Sequence, residues 1–118
     1  MINHNNVFAY AKKKYGVDPD HPFERFPDYA VLRHVDSEKW FALLMVVPRT
    51  KLGLEGDGDL EIIDLKVAAE KVGNLRTRDG FLPAYHMNKE HWLTIALNGA
   101  VSASEIYALL DESYELTK

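Results

Sequence analysis

Arg76, Arg78, His86, Asn88, Lys89, His91 and Trp92 fall within one short stretch of the chain. Cationic and amide groups contact phosphates, and aromatic rings stack on bases, so the set has the chemistry of nucleic-acid contact. The stretch is also the basic part of the sequence. Leu65 to Trp92 carries five bases (Lys66, Lys71, Arg76, Arg78, Lys89) against three acids (Glu70, Asp79, Glu90). Val17 to Asp64 carries eleven acids against five bases. The plainer reading makes Trp92 a core residue and the others surface charges.

Other chemistries find less support. Glu55, Asp57 and Asp59, continuing to Glu61 and Asp64, could offer oxygen ligands to a hard cation. Counted from Asp57, the calcium-loop pattern needs a glycine and a glutamate where Ile62 and Ala68 stand, so this segment reads as a solvated hairpin tip. His86 and His91 lack an evident third ligand for zinc, and no metal site is expected. Ser37, Ser102, Ser104 and Ser113 form no nucleophile elbow. Gly53, Gly56 and Gly58 are not followed by the lysine and hydroxyl of a phosphate-binding loop. Abundant carboxylates leave a paired-carboxylate hydrolase open, because spacing in sequence says nothing about spacing in the fold. A non-enzymatic role without a cofactor is the expectation.

The elements that must position these residues follow from pattern. Val7, Phe8, Ala11 and Tyr15 recur at helical spacing over Asn3 to Tyr15, and Gly16 is a natural stop. Tyr29 to Val35 and Trp40 to Val47 read as strands joined by a hairpin turn at Asp36-Ser37-Glu38. The second is apolar on both faces, which predicts a central position with cover on at least part of each face. Leu60 to Leu65 returns as a further strand, and a short helix is expected over Lys66 to Val72, stopped by Gly73-Asn74. Arg76 to Pro83 reads as a loop. Lys89 to Leu97 is the next strand, with Leu93, Ile95 and Leu97 on one face and Trp92, Thr94 and Ala96 on the other. Ser102 and Glu105 have the spacing of a capping box before a last helix whose buried stripe is Ile106, Leu109 and Leu110. Helices flanking an antiparallel sheet make a two-layer α+β domain.

At 118 residues, with 47% hydrophobic and 27% charged residues, the chain can bury one core and reads as a single domain, 1–118. It has no cysteine, which removes disulfides and thiolate chemistry and fits a reducing compartment. Met1 to Asn6 has no basic region followed by an apolar stretch, so no signal peptide is expected. The apolar run from Trp40 to Val47 is far below the ~20 residues of a membrane span. A cytoplasmic protein with no membrane partner is expected. Its net charge of −4 argues against bulk affinity for nucleic acid, so any such contact depends on local charge.

Pro83-Ala84-Tyr85-His86-Met87-Asn88-Lys89-Glu90-His91-Trp92, then Thr94-Ile95-Ala96-Leu97-Asn98-Gly99, is distinctive as a block. With Ile106, Leu109, Leu110, Asp111, Ser113 and Tyr114 it resembles the signature of the MmcQ/YjbR family, small bacterial proteins of about this length. The resemblance implies a frataxin/CyaY-like α–β–α sandwich, with the terminal helices packed on one face of an antiparallel sheet. It also implies a DNA-binding module. On that reading Lys89, with Arg76 and Arg78, contacts phosphates, while His86, Asn88 and His91 offer polar contacts.

A structural reading of the same motif has Trp92 anchor its strand to the last helix over Ile106 and Leu110. Asn88 then turns the chain into the strand, and His91 bonds to nearby backbone. The alternative functional reading is a protein- or metal-interaction module. It would work through an acidic surface made by Asp111, Glu112, Glu115 and the Glu55 to Asp64 tip.

Overall fold

The computed structural model describes residues 1–118. The first helix, α1 (His4–Tyr15), opens on a reciprocal asparagine cap. The Asn3 side chain accepts from the Asn6 N–H at 3.0 Å, and the Asn6 side chain accepts from the Asn3 N–H at 2.9 Å. It closes at Gly16, whose φ of 69° lets its N–H reach back to the last helical carbonyls. Four elements follow: β1 (Ala30–Arg33), β2 (Trp40–Pro48), a 3₁₀ turn (Arg49–Leu52) and β3 (Asp59–Lys66). They lead to α2 (Ala69–Leu75), β4 (Phe81–Pro83), β5 (Trp92–Ala96) and α3 (Ala103–Leu116). The five strands form one antiparallel sheet in the order β1-β2-β3-β5-β4. The molecule is thus an α+β fold of five antiparallel strands and three helices. No helix is long and apolar enough to cross a membrane.

The central position expected for β2 is realised, and both its faces are buried. On one face Leu44, Ile63, Leu65, Leu93 and Ile95 meet Val7 and Ala11 of α1 and Ile106, Leu109 and Leu110 of α3. Each of these valine, leucine and isoleucine side chains contributes about 1.5–3 kcal/mol on burial. The opposite face (Val31, Leu43, Met45, Ile62 and Ala96) is covered by connecting segments that bring in Phe23, Leu52, Leu54, Tyr85 and Met87.

Several boundaries depart from the pattern reading. The chain stays extended past Lys66, because the buried Val67 donates its N–H to the His91 carbonyl at 2.9 Å. The short helix therefore starts later and runs through Gly73-Asn74, a cost of about 1 kcal/mol for the glycine that its neighbours absorb. The segment read as a loop contains the edge strand β4, whose Pro83 is tolerated where no further ladder partner is needed. Gly80 enters it with φ 91°, and an added Cβ would lie 2.8 Å from Val101, so glycine is required there twice over.

β5 begins at Trp92 rather than Lys89 because Asn88 holds the preceding residues in a turn. Its Oδ1 accepts from the N–H groups of Glu90 (2.8 Å) and His91 (3.1 Å), and its carbonyl accepts from Trp92 (3.0 Å). The turning role read for Asn88 is therefore what it does. Trp92 does not lie over Ile106 and Leu110. Pairing with Lys66 and strand alternation put it on the face away from the helices, and it is only half-buried. Half of the expected capping box forms at α3: Ser102 Oγ accepts from the Glu105 N–H, while the Glu105 carboxylate turns to Arg78.

Candidate functional site

The loop between β4 and β5 carries His86, Asn88, Lys89 and His91, and one buried chain of hydrogen bonds fixes its start. The Tyr85 N–H donates to Thr94 Oγ1 at 2.9 Å, and the Thr94 hydroxyl donates to Asp64 Oδ1 at 2.5 Å. Asp64 is fully buried, and its Oδ2 has no partner. Burial drives its pKa up to about 7, against the opposing pull of the Thr94 hydroxyl and the Lys89 ammonium. Just beyond this anchor, His86 adopts φ 66°, a left-handed conformation that non-glycine residues seldom take.

The anchored loop holds His86 and Lys89 on the wall of a cleft of about 430 Å³, beside Tyr85 of the same loop and Leu82 of the edge strand β4. Lys51, from the 3₁₀ turn after β2, completes it. Two lysines and a histidine thus converge, and no carboxylate lines the cleft. An arrangement of this kind can accept an anion.

The other candidates lie elsewhere. Arg78 sits before β4, at the opposite end of that strand, and grips Glu105 of α3 with both terminal nitrogens at 2.5 and 2.7 Å. A two-point ion pair of this kind leaves little guanidinium free for phosphate. Arg76 is exposed just after α2 and does not line the cleft. The His91 side chain is exposed, its carbonyl serving as the acceptor for Val67. The structure therefore unites His86 and Lys89, adds Lys51, and separates both arginines from them.

The acids of α3 are largely paired. Asp111 accepts from Tyr10 at 2.9 and 3.0 Å, from Lys14 at 2.7 Å and from Tyr15. Glu112 meets Lys71 at 2.6 Å, and Glu115 meets Lys118 at 3.2 Å. Glu55, Asp57 and Asp59 remain exposed at the hairpin tip. No group of three or more His, Asp or Glu side chains is placed to hold a metal ion.

Sequence reasoning missed Lys51 and Thr94, and it misplaced Asp64: read as part of an acidic hairpin tip, it lies fully buried inside β3, where strand pairing carries it into the sheet. Asp64 did leave a signal, as a charged residue inside the apolar strand Leu60 to Leu65. Lys51 left none, since nothing near it in sequence marks the cleft it reaches. His4 and His34, which had nothing to single them out, are buried. His4 Nε2 lies 3.0 Å from the Ile62 carbonyl and His34 Nε2 lies 2.8 Å from Thr117 Oγ1, and burial pushes the pKa of both down.

The YjbR family model matches residues 12–116. The Bacillus subtilis protein YyaQ is 44% identical over 118 residues, the whole length of both chains. Escherichia coli YjbR is 39% identical over 54 residues, 45% of this chain and 46% of that one. Both relatives are described only as uncharacterized proteins. The crystal structure of a Pseudomonas syringae protein, 54% identical, superposes with a TM-score of 0.96 over 99% of this chain and 100% of that one. A Deinococcus radiodurans protein, 24% identical, shares the fold with a TM-score of 0.75 over 98% of this chain and 78% of the other. The chain belongs to the YjbR family.

Proposed function

We propose that this YjbR-family chain is a non-enzymatic DNA-binding module of the cytoplasm that takes DNA phosphates in the cleft of Lys51, His86 and Lys89. The observation that carries the reading is the charge of that cleft: two lysines and no carboxylate, with His86 beside them, in a chain whose net charge is −4. Local concentration of positive charge, rather than overall charge, is what a phosphate meets at close range. We also assign the fold to the frataxin/CyaY-like sandwich, on the ground that α1 and α3 share one face of the antiparallel sheet. The absence of cysteine supports a reducing compartment.

Fluorescence anisotropy with labelled duplex and single-stranded DNA, from low to near-physiological salt, tests the reading. Two lysine contacts predict a slope of roughly −2 in log affinity against log salt on duplex DNA. Replacing Lys51 and Lys89 together with alanine should bring that slope towards zero, while Arg78→Ala leaves it unchanged. No binding at low salt overturns the proposal.

A further inference from the structure

The face of the sheet that no helix covers holds a second cavity, of about 320 Å³, beside the basic cleft. Its walls are mainly aromatic and thioether, with Phe23, Tyr29, Trp40, Met45 and Met87 among them, while Leu43 is the one aliphatic member and His86 the one imidazole. The rings stand edge to face, Phe23 against Trp40 at 6.0 Å and 83°, and Phe23 against Tyr29 at 6.0 Å and 75°. The cavity opens to solvent, and its volume is at the lower end of small-molecule sites. Ring edges and faces together with polarisable sulfur suit a flat aromatic guest better than a branched aliphatic one.

Charge settles the other end of the guest. His86 lines this cavity and also the basic cleft, so the two spaces meet at one residue. Tyr85 faces the cleft and Met87 the cavity, which places the change from polar to apolar surface within three consecutive residues. Neither space is lined by a carboxylate that would repel an anion. His86 is held in its left-handed conformation where the two meet, the kind of local strain that a fold keeps at ligand sites.

We propose that this cavity binds a small planar aromatic molecule bearing one anionic group, with the ring system against Trp40 and Met87 and the anion turned towards Lys51 and Lys89. The site needs no nucleic acid, so it stands whether or not the chain binds DNA.

The test uses the full chain, without DNA, and two dyes that share a ring system. 1-Anilinonaphthalene-8-sulfonate carries the anion, and N-phenyl-1-naphthylamine lacks it. The anionic dye should bind one per chain, about tenfold more tightly than the neutral one, a difference of about 1.4 kcal/mol. Lys51→Ala with Lys89→Ala should abolish that preference and leave the neutral dye unaffected. In a Trp92→Phe chain, excitation of Trp40 should sensitise emission from the bound dye, a readout that needs no change to the cavity wall. Met87→Trp, which fills the cavity, should weaken both dyes. No binding, equal affinity for the two dyes, or binding without sensitised emission from Trp40 overturns the proposal.

Discussion

Thr94 Oγ1 stands 2.5 Å from Asp64 Oδ1, and both residues are fully buried where β3 and β5 pair in register. The same hydroxyl accepts from the Tyr85 N–H, so a carboxyl group in the sheet interior ties down the loop that carries His86 and Lys89. Asp64 is therefore a positioning residue for the cleft, and its other oxygen has no partner.

That arrangement makes stability depend on pH. The folded-state pKa of Asp64, about 7, lies above its ordinary 3.8, so its protonated form is favoured by folding. The stabilisation is complete below about pH 4 and is lost as pH rises through 7. Asp64→Asn keeps the shape and removes the titration. Urea denaturation from pH 4.5 to 8 should show the variant gaining on the parent as pH rises, by at most about 4 kcal/mol. Parallel curves would mean that Asp64 does not titrate in this range.

Thr94→Val preserves volume and deletes the relay. The Asp64 carboxyl then loses its donor and Tyr85 its acceptor, which should cost about 1–3 kcal/mol. Amide exchange at Tyr85 should accelerate by more than at Ile95, on the helix-facing side of β5. Equal acceleration at both positions would mean a general loss of stability instead of a loosened loop.

Tryptophan and leucine should exchange their usual ranking. Leu110→Ala opens a void between α3 and the sheet and should cost about 2–5 kcal/mol. Trp92 is half-buried on the other face, so Trp92→Ala should fall well below the roughly 3–5 kcal/mol of a core tryptophan. Thermal melts of the two variants decide this, and a larger loss for Trp92 would contradict its placement.

At the seam of α1 and α3, burial works to raise the pKa of Asp111. Hydrogen bonds from Lys14, Tyr15 and Tyr10 outweigh it and hold the carboxyl below its ordinary 3.8. A depressed carboxyl contributes stability above 3.8 that disappears as pH falls through its folded value. Asp111→Asn should cost about 1–3 kcal/mol at pH 7 in chemical denaturation. The deficit should shrink as pH is lowered below 3.8, and a deficit constant down to pH 2 would count against the ionic seam.

What could be read without the structure has a common character. The Asn3 to Tyr15 helix, the central Trp40 to Val47 strand, the return at Leu60 and the last helix each announce themselves within a dozen residues. Helical spacing, apolar runs and capping side chains all act on near neighbours in the chain. The turning role of Asn88 belongs with them, since its partners Glu90, His91 and Trp92 follow directly. The family signature from Pro83 to Tyr114 was legible for the same reason: it is a contiguous pattern.

Tertiary structure decided the rest. Arg78 and Glu105 are 27 residues apart, Asp64 and Thr94 are 30, and Lys14 and Asp111 are 97. Lys51 meets Lys89 only because the turn after β2 and the loop before β5 come together on the face without helices. The side of the sheet that Trp92 occupies depends on which alternate set of β5 the helices cover. The order β1-β2-β3-β5-β4 is chosen by burial of both sheet faces at once, a condition on the whole chain that no local run of residues encodes.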